Sequence, residues 1–478
     1  RRCERIQLVE KKVFSGVHWN SLNHRQRRKI IRSSMFLKEK FDANGLFQKL
    51  KSRLVALGNE QDKSIYEDIS SPTAATQTVF IIAAIAAAES RHAVTLDIGG
   101  AYLNADMIEE VLMLISKELA DILVKSNPQF KPYQREDGTI IVRLDKALYG
   151  CVESGKLWNM KITKQLISMG YKQNAYEECV FNRTENGVQC TIVLFVDDLK
   201  IICVDKSMID NDVKILKECF QEITVHEGDN HSYLGMNFDY SERFRVKVTM
   251  KGYIDDMMSQ YNVEGYATSP AAETLFQIDE ESPALDAEQL AVFHSRVAKV
   301  LYLAKRVRID CLCATIFLAT RILNGTQQDW EKLERLLRYI NATREVGMVL
   351  EGSNIAKIYA YVDASFGVHY DMKSHTGSLI SLGKGAIHAK SNKQRLMTKS
   401  STESELVGLS DTLPMVIWVR NFLLEQGYNV NPAIIYQDNM STIAMAKKGK
   451  STNERTRHIN IRYFFVKDKI ESEEVTIE

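Results

Sequence analysis

The most regular apolar patterning lies in the middle of the chain. Thr191 to Val196 (TIVLFV) and Leu199 to Val204 (LKIICV) are β-rich apolar runs separated only by Asp197 and Asp198. That spacing predicts a hairpin with an acidic tip. His92 to Ile98 (HAVTLDI) predicts another strand, with Asp97 near its end and Gly99-Gly100-Ala101-Tyr102 directly after. Helical patterns flank these strands. Ser71-Pro72 offers a cap and first-turn proline to an Ala-rich run reaching Ala87, apolar almost all round and so expected to be deeply buried. Trp158, Ile162 and Leu166 recur at helical spacing between a capping Ser154 and a terminating Gly170. This helix is expected under the sheet that carries the three aspartates. Glu264 to Ala287 reads as a loop, followed by helical patterns over Glu288 to Ala304 and Asp329 to Thr343. In the last third, strands are expected at Lys357 to Val362, Gly377 to Leu382, Gly385 to Ala389 and Ile434 to Gln437. A helix capped by Ser400-Ser401-Thr402 falls between the third and fourth.

Two like charges side by side repel, and neither helps a core form. A solvated Asp-Asp turn is the bland reading of Asp197-Asp198. Asp97 on a neighbouring strand weighs against it. Three carboxylates on one sheet suit a pair of Mg²⁺ ions roughly 3.5–4 Å apart, one activating an attacking oxygen and one stabilising the leaving group. Mg²⁺ takes hard oxygen ligands from one or two carboxylates, with substrate phosphates completing the shell. That is the chemistry of nucleotidyl transfer.

Composition narrows the partners. The chain has 478 residues, more than a single core accommodates, and its 45% apolar and 26% charged content is ordinary for a globular protein. Eight cysteines show no framework spacing, and Cys311-Leu312-Cys313 is too tight for a zinc pair, so reduced thiols are expected. The most apolar stretch, Val79 to Ala88, falls short of the roughly 20 residues that span a bilayer, so no membrane partner is expected. The first residue is Arg1, and the chain reads as a piece of a longer precursor. Net charge is only +1, but Arg1 to Arg53 holds fifteen Lys/Arg against four Asp/Glu, with the densest cluster at His24 to Arg32 (HRQRRKIIR). A phosphate-tracking surface accounts for that asymmetry better than a solvated basic face.

Several ordered segments give the chain a family likeness. They are LKSRLVALG (Leu50 to Gly58), the Ser71 to Ala87 helix, LDIGGAYLNADM (Leu96 to Met107), VRLDKALYGCVESGKLW (Val142 to Trp158) and LFVDDLKII (Leu194 to Ile202). In this order they resemble the reverse transcriptases of copia-type LTR retrotransposons, and Tyr233 to Met236 (YLGM) looks like the start of the primer-gripping hairpin. The resemblance implies an α+β and α/β multidomain chain: a right-hand polymerase of fingers, palm and thumb, then a mixed-sheet RNase H-like domain. It implies fingers and palm over 1–265, a mostly helical thumb and connection over 266–352, and the RNase H-like domain over 353–478. Asp97, Asp197 and Asp198 would be catalytic and hold Mg²⁺, with Mn²⁺ as a substitute. Lys51 and Arg53 fall in the segment that contacts the incoming triphosphate, and spacing does not say which of them does so. Tyr102 falls at the steric gate that clashes with a 2′-hydroxyl; a core tyrosine is the bland alternative. Gly150 falls in the fourth segment and is assigned to substrate binding.

The C-terminal third resembles copia-type RNase H in YVDASFG (Tyr361 to Gly367), KSSTESEL (Lys399 to Leu406) and YQDNMSTIAMA (Tyr436 to Ala446). By this likeness Asp363, Glu403 and Asp438 would bind two metal ions and His458 would assist the leaving group, while Glu405 and Asp371 are expected on the surface. Asn460 stands where the family likeness leads to a fourth carboxylate, so a weakened RNase H centre is expected. The implied partners are an RNA template, a DNA primer, an RNA–DNA hybrid and dNTPs, with a dimer and other Gag-Pol products beyond them. The implied location is a cytoplasmic virus-like particle, with a nuclear stage. The alternative is a decayed or domesticated element acting as a nucleic-acid-binding or structural subunit, which the complete Asp97, Asp197, Asp198 set disfavours.

Overall fold

The computed structural model describes residue 8 and residues 11–41, 47–352, 354–448 and 460–478. The described residues form four sheets. The first has the order β1-β6-β5-β2-β3. Its strands are β1 (Phe14–Val17), β2 (Ile31–Phe41), β3 (Phe47–Ala56), β5 (Leu112–Ile115) and β6 (Ile140–Leu144). Short helix α1 (His24–Arg28) is closed by a capping box between Asn23 and Gln26. Helix α3 (Lys117–Ser126) follows β5, and Met113, Ile115, Val142 and Leu144 pack with Leu54 into one apolar cluster.

The palm sheet follows the order β11-β4-β10-β9-β8-β7. It comprises β4 (His92–Ile98), β7 (Lys172–Asn174), β8 (Glu177–Glu185), β9 (Val188–Phe195), β10 (Asp198–Cys203) and β11 (Ile223–His226). Both faces are covered, which is why these strands read as nearly continuous apolar runs. Val94, Leu96, Leu199 and Ile201 face α4 (Ser154–Ser168) and α5 (Lys206–Phe220), meeting Trp158, Ile162 and Leu166 there. Alternate residues, Ala93, Val193 and Ile202, face α2 (Thr76–Ala88) and the next sheet. Two helix starts differ from expectation. Helix α2 begins at Thr76, not at Pro72, because Glu177 of β8 accepts the Ala75 N–H (3.3 Å) and the Thr78 hydroxyl (2.9 Å). A carboxylate brought in from another strand caps the helix more strongly than the local Ser-Pro. Ser154 is the first residue of α4 rather than its cap, and its hydroxyl donates to Leu148 O at 2.6 Å.

The third sheet joins β12 (Asn230–Tyr233), β13 (Met236–Asp239), β14 (Val246–Thr249) and β15 (Met348–Leu350) in that order. Leu234 and Gly235 both have positive φ, 54° and 76°, as a two-residue hairpin turn requires. Between β14 and β15 come α6 (Lys251–Tyr261), α7 (Ala287–Ala304), α8 (Leu312–Ala319) and α9 (Gln327–Ala342). The 264–286 segment holds no helix or named strand, as its composition implied. Because β15 pairs antiparallel with β14, the helical segment returns to the sheet it left, and the 265/266 division falls between strands of one sheet.

The last sheet has the order β18-β17-β16-β19-β20. Its strands are β16 (Tyr359–Ser365), β17 (His375–Ser381), β18 (His388–Lys393), β19 (Ala433–Tyr436) and β20 (Val475–Ile477). The first three are antiparallel, and β19 and β20 add in parallel, the arrangement of an RNase H-like fold. Helices α10 (Ser401–Glu425), α11 (Met440–Lys448) and α12 (Asn460–Glu471) complete it. Strand β18 starts three residues later than Gly385. That glycine has φ +76°, and a Cβ on it would lie 2.1 Å from Val349 O, so it makes a turn against β15 instead. This domain docks on the palm: Tyr428 donates to Glu89 at 2.6 Å and Gln189 donates to Gln426 O at 2.9 Å. Seven described cysteines are free thiols. Among the described residues no helix is long and apolar enough to cross a membrane.

Candidate active sites

Two acidic centres emerge, one on the palm and one on the C-terminal sheet. On the palm, β9 ends at Phe195, Val196 and Asp197 turn the chain, and β10 opens with Asp198. Val196 has φ +56°, a strained conformation for a β-branched residue. The Trp158 indole N–H holds it by donating to Val196 O at 2.6 Å. Register places Asp198 directly opposite Asp97 of β4, and Ile98 N–H donates to Asp197 O at 3.0 Å. The aspartates therefore share one end of the sheet. Burial pushes the Asp198 carboxyl up to about 6, and the neighbouring Asp197 and Asp97 charges add to the rise. A group so crowded by like charge is one that a bound cation relieves.

An aromatic pair adjoins the acids. Gly100, at φ +59°, leads into a 3₁₀ turn over Ala101–Asn104 that carries Tyr102. Burial and then the Asp197 charge raise the Tyr102 phenol. Its ring lies 4.8 Å from that of Tyr149, and the Arg53 guanidinium sits over the other ring at 5.1 Å. Arg53, Tyr149 and Tyr102 thus form a row from the fingers hairpin to the carboxylates. Lys51 pairs with Lys38 in that hairpin, but its side chain lies outside the described residues. Gly150 has a packing reason for being glycine: its φ is +89° and a Cβ would meet Ala56 O at 2.1 Å. Tyr149 was the residue missed in the sequence; its place inside KALYG was the available signal.

On the C-terminal sheet, Asp363 of β16, Glu405 of α10 and Asp438 after β19 come together, each offering an oxygen within 4.8 Å of the others. Glu405 replaces Glu403 in the expected set, and it is 5% exposed rather than on the surface. It accepts the Ala364 N–H at 3.1 Å and the Gln437 amide at 3.2 Å, and burial pushes its carboxyl up to about 7. Residues two apart point about 200° away from each other on a helix. Glu403 accordingly turns back, accepts the Lys399 N–H at 2.7 Å and serves the helix start, where Ser400 accepts its own N–H at 3.2 Å. Asp371 stays apart, paired with Lys393 at 2.8 Å. His458 and the Asn460 side chain lie outside the described residues. Helix α12 meets α10 through Arg462, paired with Asp411, and Tyr463, whose phenol the Glu403 charge raises in addition to burial. It lies on the Glu403 side.

The model of the reverse transcriptase (RNA-dependent DNA polymerase) family matches residues 17–272, a span holding all three palm aspartates, Tyr102 and Arg53. The chain belongs to this family. The retrovirus-related Pol polyprotein from transposon TNT 1-94 of Nicotiana tabacum is 25% identical over 94% of this chain and 33% of its own length. That from transposon RE2 of Arabidopsis thaliana is 25% identical over 93% and 29%, and the Ty1-LR2 Gag-Pol polyprotein of Saccharomyces cerevisiae is 24% identical over 97% and 26%. This reverse transcriptase chain thus spans a third or less of these relatives. Its fold is similar to that of a foamy viral protease-reverse transcriptase solved with an RNA/DNA hybrid, at TM-score 0.54 and 12% identity over 98% of this chain and 51% of that one.

One further palm residue stands out in this reverse transcriptase. Lys200 of β10 is 1% exposed. Burial alone pushes its amine down to about 7, while the aromatic rings around it favour the ammonium.

Proposed function

We propose that the chain is an RNA-directed DNA polymerase of an LTR retrotransposon, extending a DNA primer on an RNA template by two-metal nucleotidyl transfer. The observation that carries this reading is Asp198 set opposite Asp97 with Asp197 beside it at the hairpin tip. Three hard carboxylate oxygen sets, one group already raised by burial and then by its neighbours, fit Mg²⁺ or Mn²⁺. The metal, when bound, supplies charge stabilisation at the transferring phosphorus and lowers the pKa of the attacking hydroxyl. The protein's part is positional. The β9–β10 turn, locked by Trp158, fixes where Asp197 and Asp198 point. Tyr102, backed by Tyr149, presents a ring edge against a 2′-hydroxyl, and Arg53 brings positive charge from the fingers toward a triphosphate. Incorporation of dNTPs on an RNA template, native against Asp197→Asn, tests it. A loss of at least about 10³-fold is expected, as for removal of an electrostatic catalytic group; equal incorporation overturns the reading.

The C-terminal centre supports a second activity in the same chain, hydrolysis of the RNA strand of a hybrid, with Asp363, Glu405 and Asp438 as metal ligands. Weakening of this centre by Asn460, where the likeness leads to a fourth carboxylate, belongs to the same proposal. The basic cluster around α1 is the natural track for template phosphates. Dimerisation, other Gag-Pol products as partners, and a particle location belong to the same proposal.

A further inference from the structure

Lys200 follows Asp198 by two residues on β10, so both side chains leave the same face of the palm sheet. Its nearest partners on that face are Val193 and Thr95 across the two flanking strands and Ile202 along its own, and the Thr95 hydroxyl likewise has no hydrogen-bond partner among the described residues. Among the described residues, Lys200 Nζ has no hydrogen-bond partner. It lies instead 3.9 Å from the ring centroid of Phe238, 4.9 Å from Tyr240 and 5.8 Å from Tyr233. All three rings come from the β12–β13 hairpin or the residue directly after it. Burying an ammonium without a partner is costly, and folding alone does not call for one here. Ring faces attract a cation, more strongly where water is excluded. A second polar tie from a caging residue to the palm sheet is the Tyr233 hydroxyl, which donates to Val193 O of β9 at 3.3 Å.

We propose that Lys200 is a positioning residue that pins the β12–β13 hairpin to the strand bearing Asp198, fixing the height of the hairpin's polar outer face above the catalytic carboxylates. That outer face presents Asn230, Ser232 and Asn237, all exposed, with Asp239 opposite Asn230 at one end, and its amides and hydroxyl suit a primer's sugar-phosphate backbone. The inference rests on the polymerase reading and deepens it: the cation on the catalytic strand and the aromatic cage on the primer hairpin make one unit.

Lys200→Met tests it in the full chain, with Tyr240→Phe as the variant that keeps the ring face. Lys200→Met is expected to unfold at the same or a higher temperature, because it removes a buried charge. Amide hydrogen exchange across residues 230–239 is expected to speed up, and a fluorescent RNA–DNA primer-template to dissociate faster, each by about fivefold. Tyr240→Phe is expected to match the native chain. Unchanged exchange in Lys200→Met overturns the pin. So does a lower melting temperature with exchange rising evenly over the whole chain, which marks a merely structural lysine. Exchange needs no catalysis, so a native chain that fails to extend primers would remove the polymerase reading while the pin is still decided.

Discussion

At the scale of single residues, the two acidic centres differ in how much of them is visible from composition. Asp97, Asp197 and Asp198 stand out because they lie within or directly between apolar strands, where charge serves no packing purpose. Glu403 and Glu405 do not separate this way. Both fall in the first turns of one helix, and only the docking of α10 on β16 turns Glu405 toward Asp363 and Asp438. Glu405→Gln is therefore expected to abolish cleavage of a labelled RNA–DNA hybrid, by at least about 10²-fold. Glu403→Gln is expected to keep that activity while costing helix stability of about 1 kcal/mol. Asn460→Asp is expected to raise cleavage by about tenfold, a change worth ~1.4 kcal/mol of barrier, and no gain over the native chain would show that Asn460 is not the limiting defect. The raised carboxyls also set a pH dependence. Asp198 moves from 3.8 to about 6 and Glu405 from 4.5 to about 7. In each case the folded state holds the proton more tightly, so without metal, stability is greatest below the lower value and falls as pH rises through the window. Thermal melts in chelator from pH 4 to pH 8 should show this decline, lessened in Asp198→Asn and reduced by added Mg²⁺.

Among elements, the periodicities sufficed for existence and type but not for ends. Strand β4 matches its expected span, and α7 and α9 lie within a residue or two of theirs. The start of α2 was displaced because its cap is tertiary: Glu177 is about a hundred residues away in the chain. Glu177→Ala is expected to destabilise the protein by about 1–2 kcal/mol in urea unfolding, whereas Ser71→Ala should change it by less than about 0.5 kcal/mol. The catalytic hairpin shows the converse. Its two strands are legible as strands, but the positive φ of Val196 and the Trp158 bond that sustains it depend on α4 lying beneath.

Taken as a whole molecule, the chain is a polymerase hand whose third sheet is closed by a strand, β15, arriving after the helical segment. The C-terminal domain is docked on the palm through Tyr428, Glu89, Arg91 and Gln189. Tyr428→Phe removes the hydroxyl that satisfies Glu89 and is expected to lower stability by about 1–2 kcal/mol. Limited proteolysis should then cut more readily between the two domains while dNTP incorporation persists.

The chain's own pattern determined the acidic hairpin, β4, the strands β16 to β19, five of the helices and the placing of three aspartates on neighbouring strands, because apolar period and misplaced charge are local properties. Tertiary structure alone decided which glutamate joins the second centre, what caps α2, where the thumb segment returns, and that Lys200 lies inside an aromatic cage. Each of those depends on which face of one element meets another, and a linear spacing carries no record of that contact.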